Sequence, residues 1–128
     1  MPTPPKPDLS NRLVLLVDDN YAKEMASQIE GVWGCQAQAY SHYHEAYEAV
    51  TGDLKYDLLI VDHSMGVGDG LELARLSKEK HPKARVVLMS GHPNPNCGYV
   101  DLHLRKPFSF RREPVLSYIQ SLLEKGKL

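Results

Sequence analysis

This sequence of 128 residues has little cysteine, no long apolar run and almost no net charge. Its two cysteines, Cys35 and Cys97, lie far apart without metal-ligand spacing, so we expect reduced, incidental thiols and no disulfide scaffold. No run approaches the roughly 18 to 20 apolar residues of a membrane span, and the start of the chain lacks the apolar region of a signal peptide. A net charge of −1 gives no long-range attraction to nucleic acid or anionic lipid. We therefore expect a cytoplasmic protein with no membrane insertion and no direct nucleic-acid binding.

The length and the start of the chain predict one folded domain behind a short tail. The chain is long enough for one hydrophobic core and too short for an enzyme with separate cofactor and substrate domains. Prolines stand at positions 2, 4, 5 and 7 with almost nothing apolar around them. Residues 1–10 are therefore predicted to be a disordered, proline-rich tail, and residues 11–126 to form the domain.

Three unbroken apolar runs predict buried strands. They cover residues 13–17, 58–61 and 86–89, and each ends at a polar cluster. Such runs are typical of parallel strands that helices cover on both faces. Residues 35–40 are a weaker strand candidate, and a fifth strand is expected to begin near Val100.

Amphipathic segments between these runs predict helices over residues 21–32, 41–50, 69–80 and 114–125, with Ser41 as a possible cap. The alternation predicts an α/β fold with a doubly wound five-stranded parallel sheet, most simply in the flavodoxin-like order 2-1-3-4-5. One connection is short, because only nine residues, Gly91 to Tyr99, separate the last two strands. A helical crossover takes at least about ten to twelve residues, so the fourth helix is expected to be missing or shortened.

Acidic residues stand at the ends of the first and third predicted strands. Asp18 and Asp19 follow the first, and Asp62 ends the third. In this order the two strands are neighbours, and ligands gather outside the carboxyl ends where the order reverses. Three converging carboxylates would repel one another, so the arrangement makes physical sense around a divalent cation. Ligands that are all oxygen favour Mg²⁺ over zinc or copper.

Two more polar residues are expected at the same edge. Ser90 ends the fourth strand with a hydroxyl group, and Lys106 ends the fifth with a mobile charge suited to a phosphate oxygen. For any one of the acids or the lysine alone, a helix cap or a solvated side chain is the simpler interpretation. Five such residues at the ends of four strands favour the interpretation that they form a functional site.

In their order and spacing, the fragments that carry these residues are a distinctive set. They are Val14-Leu15-Leu16-Val17-Asp18-Asp19-Asn20, Leu59-Ile60-Val61-Asp62, Met65 with Asp69-Gly70, Met89-Ser90-Gly91 and Lys106-Pro107-Phe108. From Leu13 to about Leu123 the chain resembles the receiver domain of bacterial response regulators, which has the CheY-like fold. The fragments correspond to that family's acidic pair, phosphoacceptor strand, switch hydroxyl site and lysine motif.

The resemblance implies a phosphoacceptor of a two-component system or phosphorelay. Asp62 would take a phosphoryl group from the phosphohistidine of a histidine kinase or histidine phosphotransfer protein. Asp19, Asp62 and the backbone carbonyl of Ser64 would bind Mg²⁺ directly, and Asp18 would act through water. Lys106 would neutralise phosphoryl charge, and Ser90 would hydrogen-bond the phosphoryl group and pull its loop inward to signal to a downstream protein. The protein would then be no enzyme beyond catalysing its own phosphotransfer and dephosphorylation.

The sequence departs from the family at three places. Met65-Gly66 stands where Met-Pro is usual, and the loop 66–68 contains two glycines, which would make it more flexible. His63 is either a loop side chain or a neighbour of the phosphoryl group. His103 stands where the family often has an aromatic residue, and is either a surface residue or a group whose charge responds to pH. Because of the histidine at position 103 and the short fourth connection, there is no basis for assuming dimerisation through the family's usual output surface.

A run of histidine and tyrosine invites a metal interpretation. His42 and His44 are two residues apart and would point to different faces of a helix, which argues against joint ligation. Tyr43 and Tyr47 have the spacing of side chains that pack together, and Trp33 is most simply an anchor at a helix end.

Several alternatives to a stand-alone phosphoacceptor stay open. The chain is also compatible with a receiver excised from a hybrid histidine kinase, or with a receiver-like interaction module that signals without phosphate. A Mg²⁺-dependent phosphatase would need Asp-x-Asp, and the acidic pair at Asp18 lacks that spacing. Cobalamin binding through Asp62 fails because His63 is one position too close.

Overall fold

The computed structural model describes residues 8–65, 68–91 and 98–125, within which five strands and four helices are found. The strands are β1 (Leu13–Val17), β2 (Gln36–Tyr40), β3 (Leu58–Asp62), β4 (Arg85–Ser90) and β5 (Leu102–Arg105). The helices are α1 (Ala22–Trp33), α2 (Tyr43–Thr51), α3 (Gly70–Lys80) and α4 (Val115–Lys125).

All five strands run parallel in one sheet, in the order β2-β1-β3-β4-β5. At its centre Leu16 of β1 lies opposite Ala39 of β2 and Ile60 of β3. The three inner strands are buried along nearly their whole length. Burial on both faces explains why they read as unbroken apolar runs. The predicted doubly wound α/β fold and its strand order are confirmed.

Alternate side chains of the strands enter two separate hydrophobic clusters. Leu16 packs in one of them with Ile29 of α1 and Ile119 of α4. The other cluster contains residues of β1, α2 and α3, among them Leu15, Ala46 and Leu73. Helices thus cover both faces of the sheet.

A residue next to the helix stabilises the end of α1 and the start of α3. The α1 helix is followed by Gly34 in the left-handed region at φ 69°, and the Gly34 N–H donates to the Glu30 carbonyl. The α3 helix is preceded by Asp69, whose carboxylate accepts from the Leu71 N–H at 2.9 Å. The predicted starts of these helices are correct to within one residue.

The start of α2 differs from the predicted one. The helix begins at Tyr43 with extended His42 at its N-cap, so Ser41 does not cap it. With His42 extended, Ser41 stands two residues before the helix, whereas a capping side chain belongs to the residue directly before it. The Tyr43 and Tyr47 rings lie 6.4 Å apart, which confirms their predicted packing.

Trp33 anchors the end of α1, as predicted. Its side chain is buried, and its ring meets the edge of Phe110 at a centroid distance of 6.3 Å. Cys35 directly before β2 is a buried free thiol, and burial raises its pKa to about 11. Cys97 lies outside the described residues.

Three predictions fall wholly or partly outside the described residues: the tail at 1–7, the loop at 66–67 and the fourth connection at 92–97. Within the described part of that connection, Gly91 and residues 98–101 contain no helix. Leu9 is buried, so the packed part of the chain begins before the predicted boundary at residue 11.

Among the described helices, none combines the length and apolarity that a membrane crossing needs.

Candidate functional site

The five site residues predicted from the strand ends lie at one edge of the sheet. Asp18 and Asp19 follow β1, Asp62 ends β3, Ser90 ends β4 and Lys106 follows β5. Because parallel strands end at the same edge, the topology brings together residues that are far apart in the sequence.

The acidic side chains form one cluster with a lysine beside it. One carboxylate oxygen from each of Asp18, Asp19 and Asp62 lies within 4.8 Å of the others. The Lys106 Nζ donates to Asp62 Oδ2 at 3.1 Å and to Asp18 Oδ2 at 3.3 Å. Lys106 therefore offsets part of the repulsion between the two carboxylates that it bridges.

Burial distinguishes the members of this cluster. Asp18 is 1% exposed and Asp62 6% exposed, while Asp19 is exposed to solvent. Burial raises the pKa of Asp62, although its hydrogen bond with Lys106 and the charge of that lysine act in the opposite direction. Burial also acts to lower the pKa of Lys106, but the hydrogen bond to Asp62 and the charge of Asp18 outweigh it and raise that pKa. Lys106 and Asp62 thus attract each other in a place where water screens their charges only in part.

Asp18 has two tasks in the folded chain. Its Oδ1 accepts from the backbone N–H groups of Asn20 and Tyr21, both at 2.9 Å, and so fixes the turn into α1. Its Oδ2 faces Lys106. The turn-capping interpretation of this residue therefore holds for Oδ1, while Oδ2 belongs to the acidic cluster.

A close approach between β3 and α3 fixes the position of Asp62. The His63 N–H donates to the Met89 carbonyl, and the Gly70 N–H donates to the His63 carbonyl, each at 2.8 Å. The Ser64 N–H donates to Asp62 Oδ1 at 3.2 Å. A Cβ on Gly70 would lie 1.9 Å from the Asp62 carbonyl oxygen, so only glycine fits there. The spacing of Asp69-Gly70 in the sequence does not indicate this packing role of Gly70, for which Asp-Gly at a helix start is the available signal.

Ser90 and Ser64 differ in their surroundings. Ser90 is 2% exposed, and its carbonyl accepts from the Lys106 N–H at 2.8 Å, which ties the ends of β4 and β5 together. Ser64 is exposed in the loop after β3, where its backbone is close to Asp62. Ser90 lies at the strand end where the strand order led us to expect it, and Ser64 lies two residues beyond Asp62.

The two histidines that depart from the family pattern have different partners. His63 Nε2 lies 3.7 Å from Asp69 Oδ1, at the N-terminus of α3. His103 lies on β5 opposite Leu88, and in the described part of the chain its buried Nε2 has no hydrogen-bond partner. Burial, followed by the charges of His63 and Arg105, lowers the pKa of His103. The neutral form of His103 is therefore favoured.

The acidic cluster fits a hard divalent cation. Carboxylate oxygens within a few ångströms of one another are the donors that Mg²⁺ and Ca²⁺ take in proteins. Over the described ranges, no other group of three histidine, cysteine or acidic residues comes together in this way. The exposed Asp19 leaves one side of the cluster open to a ligand from solvent.

A family model for the response regulator receiver domain matches residues 14–110. The chain belongs to this family. The match begins within β1, extends beyond β5 and contains all five site residues predicted from the strand ends. A search of curated proteins found no match to this receiver domain.

Solved structures share the fold of this receiver domain at low sequence identity. A CheY-like receiver domain protein from Methanospirillum hungatei is 20% identical, with a TM-score of 0.78 over 92% of this chain and 98% of that one. Response regulator TrrA from Thermotoga maritima, solved in complex with Mg²⁺-BeF, is 22% identical with a TM-score of 0.71 over 87% and 98%. A response regulator from Burkholderia pseudomallei, solved with a phosphorylated aspartic acid, a calcium ion and citrate, is 22% identical with a TM-score of 0.70 over 91% and 69%.

Proposed function

We propose that this receiver domain is a phosphoacceptor in which Asp62 takes a phosphoryl group from a phosphohistidine and so changes the conformation that a downstream protein recognises. The observation that carries the proposal is the bridge from Lys106 Nζ to Asp62 and Asp18, at 3.1 and 3.3 Å, beside the exposed Asp19. A nucleophilic carboxylate, a cation and neighbouring acids in reach of solvent are the parts that phosphoryl transfer requires.

Each protein group has a task in this reaction. Asp62 supplies the attacking oxygen, and the Ser64 N–H on its Oδ1 holds the carboxylate in a fixed orientation. Lys106 moves from a carboxylate to a phosphoryl oxygen and offsets the charge that arrives there. Ser90, which is tied to Lys106 through the backbone, then donates its hydroxyl to the phosphoryl group and draws the end of β4 inward.

Mg²⁺ is the cofactor that we assign to the cluster. Asp19, Asp62 and the Ser64 carbonyl would hold it directly and Asp18 through water, and when bound it neutralises charge on the phosphoryl oxygens. The support is the chemistry of the donor set, which is all oxygen. The Mg²⁺-BeF complex of the Thermotoga maritima relative is consistent with this choice.

The partners follow from the chemistry of the step. The donor is a histidine kinase or histidine phosphotransfer protein, and the recipient of the signal is a protein effector. The domain catalyses only its own phosphorylation and dephosphorylation, and it works in the cytoplasm, where such donors act. Nucleic acid is not among its direct partners, since the net charge of −1 gives no electrostatic footprint for it.

The proposal is tested by labelling the chain with a small phosphodonor. We expect phosphoramidate with Mg²⁺ to give one acid-labile phosphoryl group per chain, absent without Mg²⁺ and absent from Asp62→Asn. Asp53→Asn is the matched control, because Asp53 is fully exposed and its carboxylate lies 3.6 Å from Lys80, away from the acidic cluster. Mass spectrometry locates the group.

Two outcomes would contradict the proposal. Undiminished labelling of Asp62→Asn would show that another residue is the nucleophile. No labelling of the unaltered chain, and no response to beryllofluoride, would favour the phosphate-independent interaction module instead.

A further inference from the structure

A cavity of about 380 Å³ with mostly apolar walls opens beside the acidic cluster. It lies where the loops after β1, β2 and β3 meet. We call it the donor pocket, and its lining residues are Asp19, Ser41, His42, Tyr43, His44 and Met65.

The walls of the donor pocket are held in place by packing. Met65 is 4% exposed and belongs to the hydrophobic cluster beneath α2 and α3. The Tyr43 ring lies against Gly68, where an added Cβ would come within 2.1 Å of a ring carbon, and it also packs with the Tyr47 ring. An aromatic wall fixed by two neighbours is already formed before a ligand arrives, which reduces the entropic cost of binding.

Asp19 belongs both to the donor pocket and to the acidic cluster. When a donor molecule brings its phosphoryl group to Asp62, its leaving group is therefore within reach of the pocket. The leaving group is the part of the donor that remains after transfer. For a phosphohistidine that part is an imidazole ring, which is flat, aromatic and able to carry positive charge. The Tyr43 ring offers it a stacking surface and a face that attracts positive charge, and the Met65 sulfur offers a polarisable contact.

We propose that the donor pocket is a specificity site that receives the imidazole leaving group of the phosphoryl donor, an inference that rests on the proposed phosphoacceptor function. In the step, a bond forms between an Asp62 carboxylate oxygen and phosphorus while the phosphorus–nitrogen bond breaks. The electron pair of that bond stays on the ring nitrogen. A ring that is protonated on its second nitrogen beforehand departs as neutral imidazole, so no further reactant is needed.

The size of the pocket agrees with a donor larger than a free ring. Small-ligand sites in proteins span roughly 300 to 1,000 Å³, and this cavity of about 380 Å³ lies at the lower end of that range. It has space for an imidazole ring and for the methylene group and main chain that attach the ring to a protein. His42 and His44, both exposed at the rim, are placed to contact the donor's surface.

The test compares two donors that share a phosphorus–nitrogen bond and differ only in the leaving group. Phosphoramidate releases ammonia, and phosphoimidazole releases the ring. We expect Tyr43→Ala to lower the ratio of the phosphoimidazole to the phosphoramidate labelling rate constants roughly three- to tenfold. Tyr43→Phe, which retains the ring, should keep the ratio of the unaltered chain.

A matched control and a second measurement separate the possible outcomes. Tyr118→Ala removes a tyrosine from α4 that is 50% exposed and does not line the pocket, so the ratio should stay unchanged. An equal loss with both donors in Tyr43→Ala would overturn the inference, because Tyr43 would then act only by holding the loop at Gly68. If phosphoramidate labels the chain and the ratio does not fall, the pocket assignment alone fails. If neither donor labels it, the phosphoacceptor function fails as well.

Binding of free imidazole to the unaltered chain provides a check that needs no variant. Titration with neutral imidazole should shift the nuclear magnetic resonance signals of the Met65 methyl group and the Tyr43 ring. An ammonium salt at equal ionic strength should leave them in place. Shifts at Lys106 without shifts at these two residues would overturn the assignment.

Discussion

Arg12 and Leu123, which are 111 residues apart in the sequence, are joined by a 2.8 Å hydrogen bond from the Arg12 Nε to the Leu123 carbonyl oxygen. Arg12 is only 5% exposed. Its guanidinium lies against the last turn of α4, where free carbonyl groups and the helix dipole both favour a cation. The residue directly before β1 thereby holds the last helix of the described chain against the sheet.

Replacing Arg12 should therefore destabilise the domain. We expect Arg12→Ala to lower the free energy of unfolding by roughly 1 to 3 kcal/mol, because the Leu123 carbonyl loses its partner in a buried place. Urea unfolding followed by the fluorescence of Trp33, the single tryptophan, measures the change. Arg111→Ala, at an exposed arginine before α4, is the control and should change stability by less than about 0.5 kcal/mol. Equal effects of the two substitutions would contradict the role of Arg12.

The contact of Gly70 with the Asp62 carbonyl predicts a loss of both stability and site geometry. In Gly70→Ala the new Cβ meets a backbone oxygen at 1.9 Å, so α3 must move away from the end of β3. We expect a cost of roughly 1 to 3 kcal/mol in the free energy of unfolding and weaker Mg²⁺ binding. Urea unfolding and calorimetric titration measure the two effects.

Gly31→Ala is the matched control for Gly70→Ala. Gly31 lies within α1 with nothing within 4 Å of an added Cβ, and alanine is favoured over glycine in a helix by up to about 1 kcal/mol. This control should therefore be neutral or stabilising. Unchanged Mg²⁺ affinity in Gly70→Ala would show that the close approach does not position Asp62.

The inner strands and the acidic edge were predictable because they depend on local pattern and on topology. A strand covered on both faces leaves an unbroken apolar run, and the order of strands fixes which strand ends are neighbours. The edge strand β2 gave a weaker signal, since Gln36 and Gln38 are exposed. The start of α2 was predicted wrongly because Ser41 is a good capping residue in isolation, and the extended His42 carries the chain past it.

Contacts between distant segments were not predictable in the same way. Nothing near Arg12 in the sequence indicates Leu123, and glycine at position 70 reads equally well as a turn residue. The donor pocket is likewise formed by three loops whose meeting depends on the sheet. These features follow from tertiary packing, on which the local pattern carries no information.

The buried phenol of Tyr56 predicts how stability falls in alkali. Burial raises its pKa from 10.0 to about 12, against the opposing hydrogen bond with Ser77. Below pH 10 the phenol is protonated in both the folded and the unfolded chain, and its contribution to stability is complete. Between pH 10 and 12 the unfolded chain loses this proton first, so the free energy of unfolding decreases by roughly 2 to 3 kcal/mol.

Tyr56→Phe isolates this contribution. The variant should be less stable than the unaltered chain at pH 8, because the Ser77 hydroxyl loses a buried partner. Its stability should fall less steeply from pH 10 to 12, so that the two curves converge. Urea unfolding at a series of pH values measures the slopes, and Tyr21→Phe, at a tyrosine that is 61% exposed, should keep the original slope. Parallel curves for Tyr56→Phe and the unaltered chain would refute the assignment.

Lys106 competes with a divalent cation for the same carboxylates, because its Nζ lies 3.1 Å from Asp62 and 3.3 Å from Asp18. Lys106→Met removes that positive charge and leaves only the metal to offset the repulsion among the acids. We therefore expect roughly three- to tenfold tighter Mg²⁺ binding by calorimetric titration at fixed ionic strength, together with slower labelling by phosphoramidate. Lys23→Met, at an exposed lysine of α1, should change neither value. Weaker Mg²⁺ binding in Lys106→Met would mean that the lysine supports the metal site, since loss of a mere competitor can only strengthen binding.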